Sequence, residues 1–368
     1  MSPIFLYGTL RHPPLLEIVA GRADAGTPAE LADHAVFHAG EAPFPRLEPA
    51  PGQTARGLLV EAGKALERLD FYEGGYGYAL EEVEVLSAEG PRKARVYRAG
   101  ATVPPAGAPW SLEAWAAAWG ELTCHVAREA MESFGEISAE TLAARMPMMR
   151  VRAWARVNAG GGAQTLSLAP VPEAAAEVVA QRRPYTNFFS LLEGELRQPL
   201  FAGGHGPVVN RAAFVGVDAA VILPYDPVLD RVLLIEQFRH GPFFRGDPNC
   251  FLIEAPAGGM DPGEGPEDAA RRELREETGL DARALHLASS HYPSSAAFTE
   301  FLHIYVAIAD LPDGAAGMGG LETEQEDIRS HLLDYARFEA LLDADAFKVG
   351  PLVIAGFWLA RNRARLRS

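Results

Sequence analysis

The chain has 368 residues, 48% of them hydrophobic and 22% charged, which is more than one core needs and enough for two. A net charge of −16 argues against nucleic acid or an anionic membrane as the main partner. Two distant cysteines, Cys124 and Cys250, offer neither a disulfide framework nor a zinc spacing, and no apolar run reaches membrane length or reads as a signal peptide, so a cytoplasmic protein is expected.

In chain order, IFLYGTL opens as a short apolar strand. ARGLLVEA, LEEVEVLSA and KARVYRAG read as further strands between Gly- and Pro-rich turns, and ATVPPAGAPW closes the block. SLEAWAAAWGELTCHVAREAMESFG then carries apolar residues at helical spacing, and SAETLAARM follows as a second helix with Ser138 placed to cap it. The glycine run at 158–164 reads as a flexible joint. Beyond it, AAVILPYD, RVLLIEQFR and FLHIYVAIA read as strands, accompanied by helical patterns. The expected organisation is a domain over 1–103, a helical connector over 104–157 and a second domain over 165–368.

Chemistry enters at GGMDPGEGPEDAARRELREETGL. Pro266 suits a first turn, Glu267 and Asp268 suit the positive end of a helix, and Gly279 suits the residue past its last turn, which predicts a helix over Pro266–Thr278. Glu273 and Glu277 then stand one turn apart with Glu276 beside them, and Glu264 lies just before the helix. Such carboxylates are either a solvated stripe relieved by Arg271, Arg272 and Arg275, or hard oxygen ligands for Mg²⁺ or Mn²⁺.

The spacing of Gly258, Glu264, Arg272, Glu273, Leu274, Glu276, Glu277, Gly279 and Leu280 resembles the Nudix box at every defined place. The resemblance implies an α/β/α sandwich that hydrolyses a nucleoside diphosphate linked to another moiety. It also implies Glu264, Glu273, Glu276, Glu277 and the carbonyl of Ala257 as metal ligands, with Arg272 orienting the glutamates. RPYTNFFSL, LIEQFR, FLIEAPAG and EQEDIRSHLL are similar to the ADP-ribose pyrophosphatase branch of that family. That branch implies a homodimer with ADP-ribose as substrate, Phe188 stacking on adenine and Arg239 meeting the phosphates. Arg211 is a further candidate from the partner subunit. Phe188 could equally be a core residue, and Arg239 could pair with Glu236 or the acidic loops. From the loop GAAGMGGLETEQED the resemblance takes Glu324 as general base and Glu326 as an extra metal ligand. YPSSAAFTE departs from the branch, so another nucleoside diphosphate sugar is the competing substrate.

In the first hundred residues, Tyr7, Gly8, Thr9 and Leu10, with Gly57 and the ALERLDFYEG segment, resemble the gamma-glutamylcyclotransferase-like fold, a small β-barrel-like domain. The resemblance implies that the Tyr7–Leu10 loop holds a substrate carboxylate and that Glu73 takes a proton from the attacking amine. A docking module without catalysis is the alternative. The fold class expected is therefore α+β in two domains, and this domain order resembles tellurite-resistance-associated Nudix proteins.

Overall fold

A computed structural model describes residues 3–23, 26–161, 166–321 and 325–368, and it divides into two compact units, Met1–Leu166 and Ser167–Ser368.

The first unit is a closed barrel with helices against it. Its elements are β1 (Ile4–Leu6), α1 (Pro13–Ala20), β2 (Thr27–Ala39), β3 (Pro45–Val60), α2 (Leu66–Gly75), β4 (Tyr78–Ser87), β5 (Gly90–Ala99), β6 (Ala106–Pro109), α3 (Leu112–Glu132) and α4 (Ala139–Gly160). The order β3-β1-β5-β4-β2 closes because β2 also pairs with β3, and β6 adds to the edge of β2. Closure removes the open strand edges that a small sheet would expose. Phe5, Tyr7, Leu31, Leu47, Leu59, Val85 and Val96 alternate inward and fill the barrel. Gly57 is glycine for space: a Cβ there would meet the Leu6 carbonyl and the Phe5 ring at 2.5 Å.

The helices use the outer face. Leu15, Leu16 and Val19 of α1, Leu69 and Tyr72 of α2, Leu122 and Val126 of α3, and Leu142 and Met149 of α4 share one core with Ile4 and Leu6. Residues 104–157, expected as a connector, thus pack into the first unit. Two amphipathic helices must bury their apolar stripes, and the outer face of the barrel with α1 and α2 supplies the surface. Ser138 caps α4 by accepting from the Thr141 amide at 3.1 Å. The helix runs on through Pro147, past the stretch SAETLAARM. A proline costs an interior helical hydrogen bond, and here it is offset by the burial of Met149 and Ala153 and by the Arg152–Glu129 pair at 2.6 Å.

The second unit contains β7 (Glu177–Thr186), β8 (Ser190–Arg197), β9 (Val209–Val215), β10 (Ala219–Asp226), β11 (Arg231–Phe238), α5 (His240–Arg245), β12 (Phe251–Glu254), β13 (Ala257–Gly259), α6 (Pro266–Thr278), β14 (Ala284–His291), β15 (Leu302–Ile308), β16 (Met318–Gly319), β17 (Ile328–Asp334), α7 (Tyr335–Asp343) and α8 (Gly350–Leu366). Among the described residues, β7, β8 and β9 form their own antiparallel sheet, and the other strands form a mixed sheet ordered β14-β15-β10-β11-β17-β16. β10 pairs in parallel with β15 and is buried along its whole length, as a central strand covered on both faces must be. Its residues Val221, Leu223 and Tyr225 pack with Phe338, Leu352 and Leu359 of α7 and α8. α6 packs over β10 and β13 through Ala269, Ala270 and Leu274. The layers make an α/β/α sandwich, and α6 keeps the bounds read from its caps, with Gly279 in the left-handed conformation.

Candidate active sites

Helical phase brings the second unit's charged residues together. On α6, Arg272 reaches back to the loop before the helix and along the helix itself. Its Nε and Nη2 donate to the two oxygens of Glu264 at 3.0 and 2.9 Å, and Nη2 also donates to the Gly259 carbonyl at 2.8 Å. Its Nη1 donates to Glu273 at 2.5 Å and to Glu276 at 3.0 Å. The planar fork is thus used on three carboxylates, and the bond to Glu264, foremost, raises the guanidinium well above its ordinary range. Gly258 lies beneath this array. A Cβ there would stand 2.2 Å from the Glu273 carboxyl, so glycine is what lets α6 approach β13.

Glu277 has a different environment. It is 2% exposed, and its Oε2 accepts from the Ala257 amide at 2.9 Å. Burial pushes its carboxyl up to about 9. The Ala257 amide and Arg239 pull it down, and Glu326 and Glu273 push it further up. Among the described residues, no three acidic, histidine or cysteine side chains converge tightly enough to hold an ion by themselves; Arg272 occupies the space between Glu264, Glu273 and Glu276. The donor chemistry nonetheless fits a divalent cation. The set is all hard oxygen, and the pull of Arg239 and the Ala257 amide on its buried member is outweighed by burial.

Arg239 follows β11 as the N-cap of α5 and is held by Glu254 in a two-pronged pair, Nε to Oε1 at 2.9 Å and Nη2 to Oε2 at 2.7 Å. The alternative pairing with Glu236 is replaced: Glu236 takes Arg329 and His331, the latter at 3.0 Å. The Arg239 side chain keeps 40% of its surface, and Glu277 and Glu326 both act on it, which leaves its free edge toward the acidic cluster. Glu254 was legible in FLIEAPAG as a carboxylate but carried no periodic signal toward Arg239. Glu326 accepts from the Leu321 amide at 3.2 Å and lies within electrostatic reach of Glu277. Glu324 lies outside the described residues. Phe188 sits at the turn between β7 and β8, 61% exposed and edge-on to Phe189, so the core-residue alternative does not hold. Arg211 is on β9 and donates to the Asn210 carbonyl at 2.7 Å.

The first unit holds a cavity that opens to solvent through a mouth. Tyr7, Gly8, Thr9 and Leu10 line one side and Glu73 of α2 another, so the structure brings together the loop and the acid that the sequence singles out. The rest of the wall is largely aromatic: Phe44, Tyr72, Tyr76, Tyr78, Tyr97 and Trp115. Burial, with help from Asp70, pushes the Glu73 carboxyl up to about 8. Asp70 is itself taken by the Tyr97 hydroxyl at 2.6 Å. A Cβ on Gly8 would meet Pro45 at 2.7 Å, so the loop closes against the barrel only as glycine. Sequence reading missed Arg150 of α4, the cavity's other charged side chain, because it follows Pro147.

Comparison with known proteins places a family in each unit. The NUDIX domain family model matches residues 216–352, which contain the whole glutamate cluster. Over the Nudix region the chain is similar to an "ADP-ribose pyrophosphatase" of Haemophilus influenzae, 32% identical over 193 residues, covering 52% of this chain and 88% of that protein. This chain is a Nudix hydrolase. An Escherichia coli K12 protein of the same name is 35% identical over 192 residues, covering 52% of the chain and 91% of that protein. A "GDP-mannose pyrophosphatase" of Cronobacter sakazakii is 36% identical over 111 residues, covering 30% of the chain and 58% of that protein. The model of the family "Gamma-glutamyl cyclotransferase, AIG2-like" matches residues 4–117. This Nudix hydrolase therefore carries a gamma-glutamylcyclotransferase-like barrel ahead of its catalytic unit. Nudix hydrolases generally need a divalent metal. Among the described residues, no helix is long and apolar enough to cross a membrane.

Proposed function

We propose that the second unit hydrolyses ADP-ribose to AMP and ribose 5-phosphate. The observation that carries this reading is the buried Glu277, set among Glu273, Glu326 and Arg239 one helical turn from the Arg272 array. Glu273, Glu276 and Glu277, with Glu264, Glu326 and the Ala257 carbonyl, would hold Mg²⁺ or Mn²⁺. Bound there, a divalent cation neutralises pyrophosphate oxygens and acidifies a water. The chain's own work is to fix those carboxylates. Arg272 holds three of them in place, and the Ala257 amide holds Glu277. The free edge of Arg239, steadied by Glu254, is suited to a phosphate oxygen.

ADP-ribose is favoured because the relatives named for it align over most of their length, whereas the one named for GDP-mannose aligns over 58% of its own. Another nucleoside diphosphate sugar is the second reading, supported by the divergent YPSSAAFTE segment. Product analysis of the purified chain against a panel of nucleoside diphosphate compounds decides between them. The fastest turnover is expected on ADP-ribose, and faster cleavage of a nucleoside diphosphate sugar would transfer the assignment to that compound.

For the first unit we propose a gamma-glutamylcyclotransferase, with Glu73 taking a proton from the attacking amine and the Tyr7–Leu10 loop holding the α-carboxylate. The reading rests on Glu73 and that loop sharing one cavity. A homodimer through the second unit, with Phe188 and Arg211 serving the neighbour's site, accords with the exposure of Tyr185, Phe188 and Phe189. A fully active monomer by light scattering would contradict it. A cytoplasmic location fits the two free cysteines.

A further inference from the structure

The glycine-rich loop before β17 reads as loose in the sequence, but its described residues are pinned. Ser330 of β17, 9% exposed, accepts from the Gly317 amide through its hydroxyl at 2.8 Å, and its own amide donates to the Gly317 carbonyl at 2.8 Å. β16 then pairs with β17, Met318 opposite Arg329 and Gly319 opposite Ile328. Beyond β16 the turn is held by Glu326. Its amide donates to the Leu321 carbonyl and its Oε2 accepts from the Leu321 amide, both at 3.2 Å.

The two adjacent glycines of this hairpin press on two acids of the candidate site. A Cβ on Gly319 would stand 2.0 Å from the Glu277 carbonyl oxygen and 3.0 Å from its carbonyl carbon. Backbone meets backbone there, so no side chain can swing aside to make room. Gly320 has a φ of +93°, and its Cβ would stand 2.8 Å from the Cβ of Glu326. Gly317, by contrast, has nothing within 4 Å of such a Cβ. The hairpin therefore seats directly on the last turn of α6, where Glu277 is also tied by the Ala257 amide. Close-packed contacts of this kind pass a displacement on instead of absorbing it.

We infer that Gly319 and Gly320 form a spacer that sets the separation of Glu277 and Glu326, and are thereby positioning residues for the cation-binding set. The inference rests on the reading of those two acids as ligands and adds what holds them in register. Gly258 makes the matching contact at β13, against the Glu273 carboxyl. An alanine at 319 must lift β16 from α6, and the Leu321–Glu326 bonds then carry Glu326 away from Glu277.

The test is titration of the full chain with Mn²⁺ alone, without substrate, followed by electron paramagnetic resonance. Glu326→Gln should weaken binding about tenfold, and Gly319→Ala by a similar factor, as loss of an orienting contact does at metal sites. Both act through one carboxylate, so the double variant should bind within about twofold of the weaker single variant. Gly320→Ala should reproduce Gly319→Ala, and it carries the same comparison if Gly319→Ala does not fold. Gly317→Ala, with open space for its methyl, should stay within about twofold of the unsubstituted chain. Unchanged Mn²⁺ binding in both Gly319→Ala and Gly320→Ala, beside weakened binding in Glu326→Gln, would overturn the spacer and leave the ligand reading standing. A double variant weakened by the product of the two effects, about a hundredfold, would do the same. Undiminished binding in Glu326→Gln would overturn the ligand reading and the inference with it.

Discussion

Glu277 and Glu73 are both carboxyls displaced upward by burial, to about 9 and about 8, yet their neighbours differ completely. Glu277 stands among other acids, with Arg239 and the Ala257 amide pulling the other way. Glu73 stands in an aromatic wall with Asp70 as its charged influence. A crowd of acids next to a fixed guanidinium array stores negative charge that a cation can use. A single acid in an apolar wall stores a proton affinity close to neutral pH, which suits proton transfer. The same physical shift therefore suits opposite ends, and the neighbours decide which.

Substitution at the lone acid should have the largest effect. Glu73→Gln removes the proton acceptor without changing shape, so release of 5-oxoproline from a γ-glutamyl compound should fall to background while pyrophosphate hydrolysis stays within about twofold. If 5-oxoproline continues to form, Glu73 is not the base. In the unsubstituted chain that release should climb about tenfold per pH unit and level off near 8, since only the ionised acid accepts a proton. The stability linkage has the opposite sign. A carboxyl raised in the fold stabilises fully below its unfolded pKa of 4.5, and that contribution is lost as pH rises through about 8. Glu73→Gln should therefore flatten the fall in melting temperature over that window; an unaltered slope would mean that the carboxyl is not buried.

In the crowd, Glu277→Gln should lower kcat for pyrophosphate hydrolysis by about a hundredfold or more, because it removes a ligand from the set. Near-normal turnover would remove Glu277 from the site. Gly258→Ala is the gentler probe. Its Cβ would stand 2.2 Å from the Glu273 carboxyl, which must then swing out of the Arg272 array. A loss of about tenfold in kcat is expected, with about 1–3 kcal/mol of stability. An alanine variant with full activity would show that Glu273 need not lie against β13.

The two regions also differ in how much the sequence discloses. α6 was readable to its last residue, since its caps, its charges and the Gly258 contact all lie within one local stretch, residues 258–280. The first unit's cavity is assembled from residues far apart in the chain, Tyr7 to Arg150, and only the loop and Glu73 carried a local signature. β2 offers little regular alternation, and its partner β3 is long and carries prolines and two glycines, so barrel closure came from long-range pairing. Arg150 sits past a proline where local rules expect a helix to stop, and tertiary burial carries α4 through. The Arg239–Glu254 clasp joins neighbouring strands in a register that no periodicity reveals.

The central claim is that the acids around Glu277 hold a divalent cation in the act of cleaving pyrophosphate. Titration of the full chain with Mn²⁺, followed by electron paramagnetic resonance alongside AMP formation from ADP-ribose, tests it most directly. Mn²⁺ binding and AMP formation should saturate together, and Glu277→Gln should weaken both. Undiminished AMP formation in excess chelator, with no Mn²⁺ bound, would contradict the account.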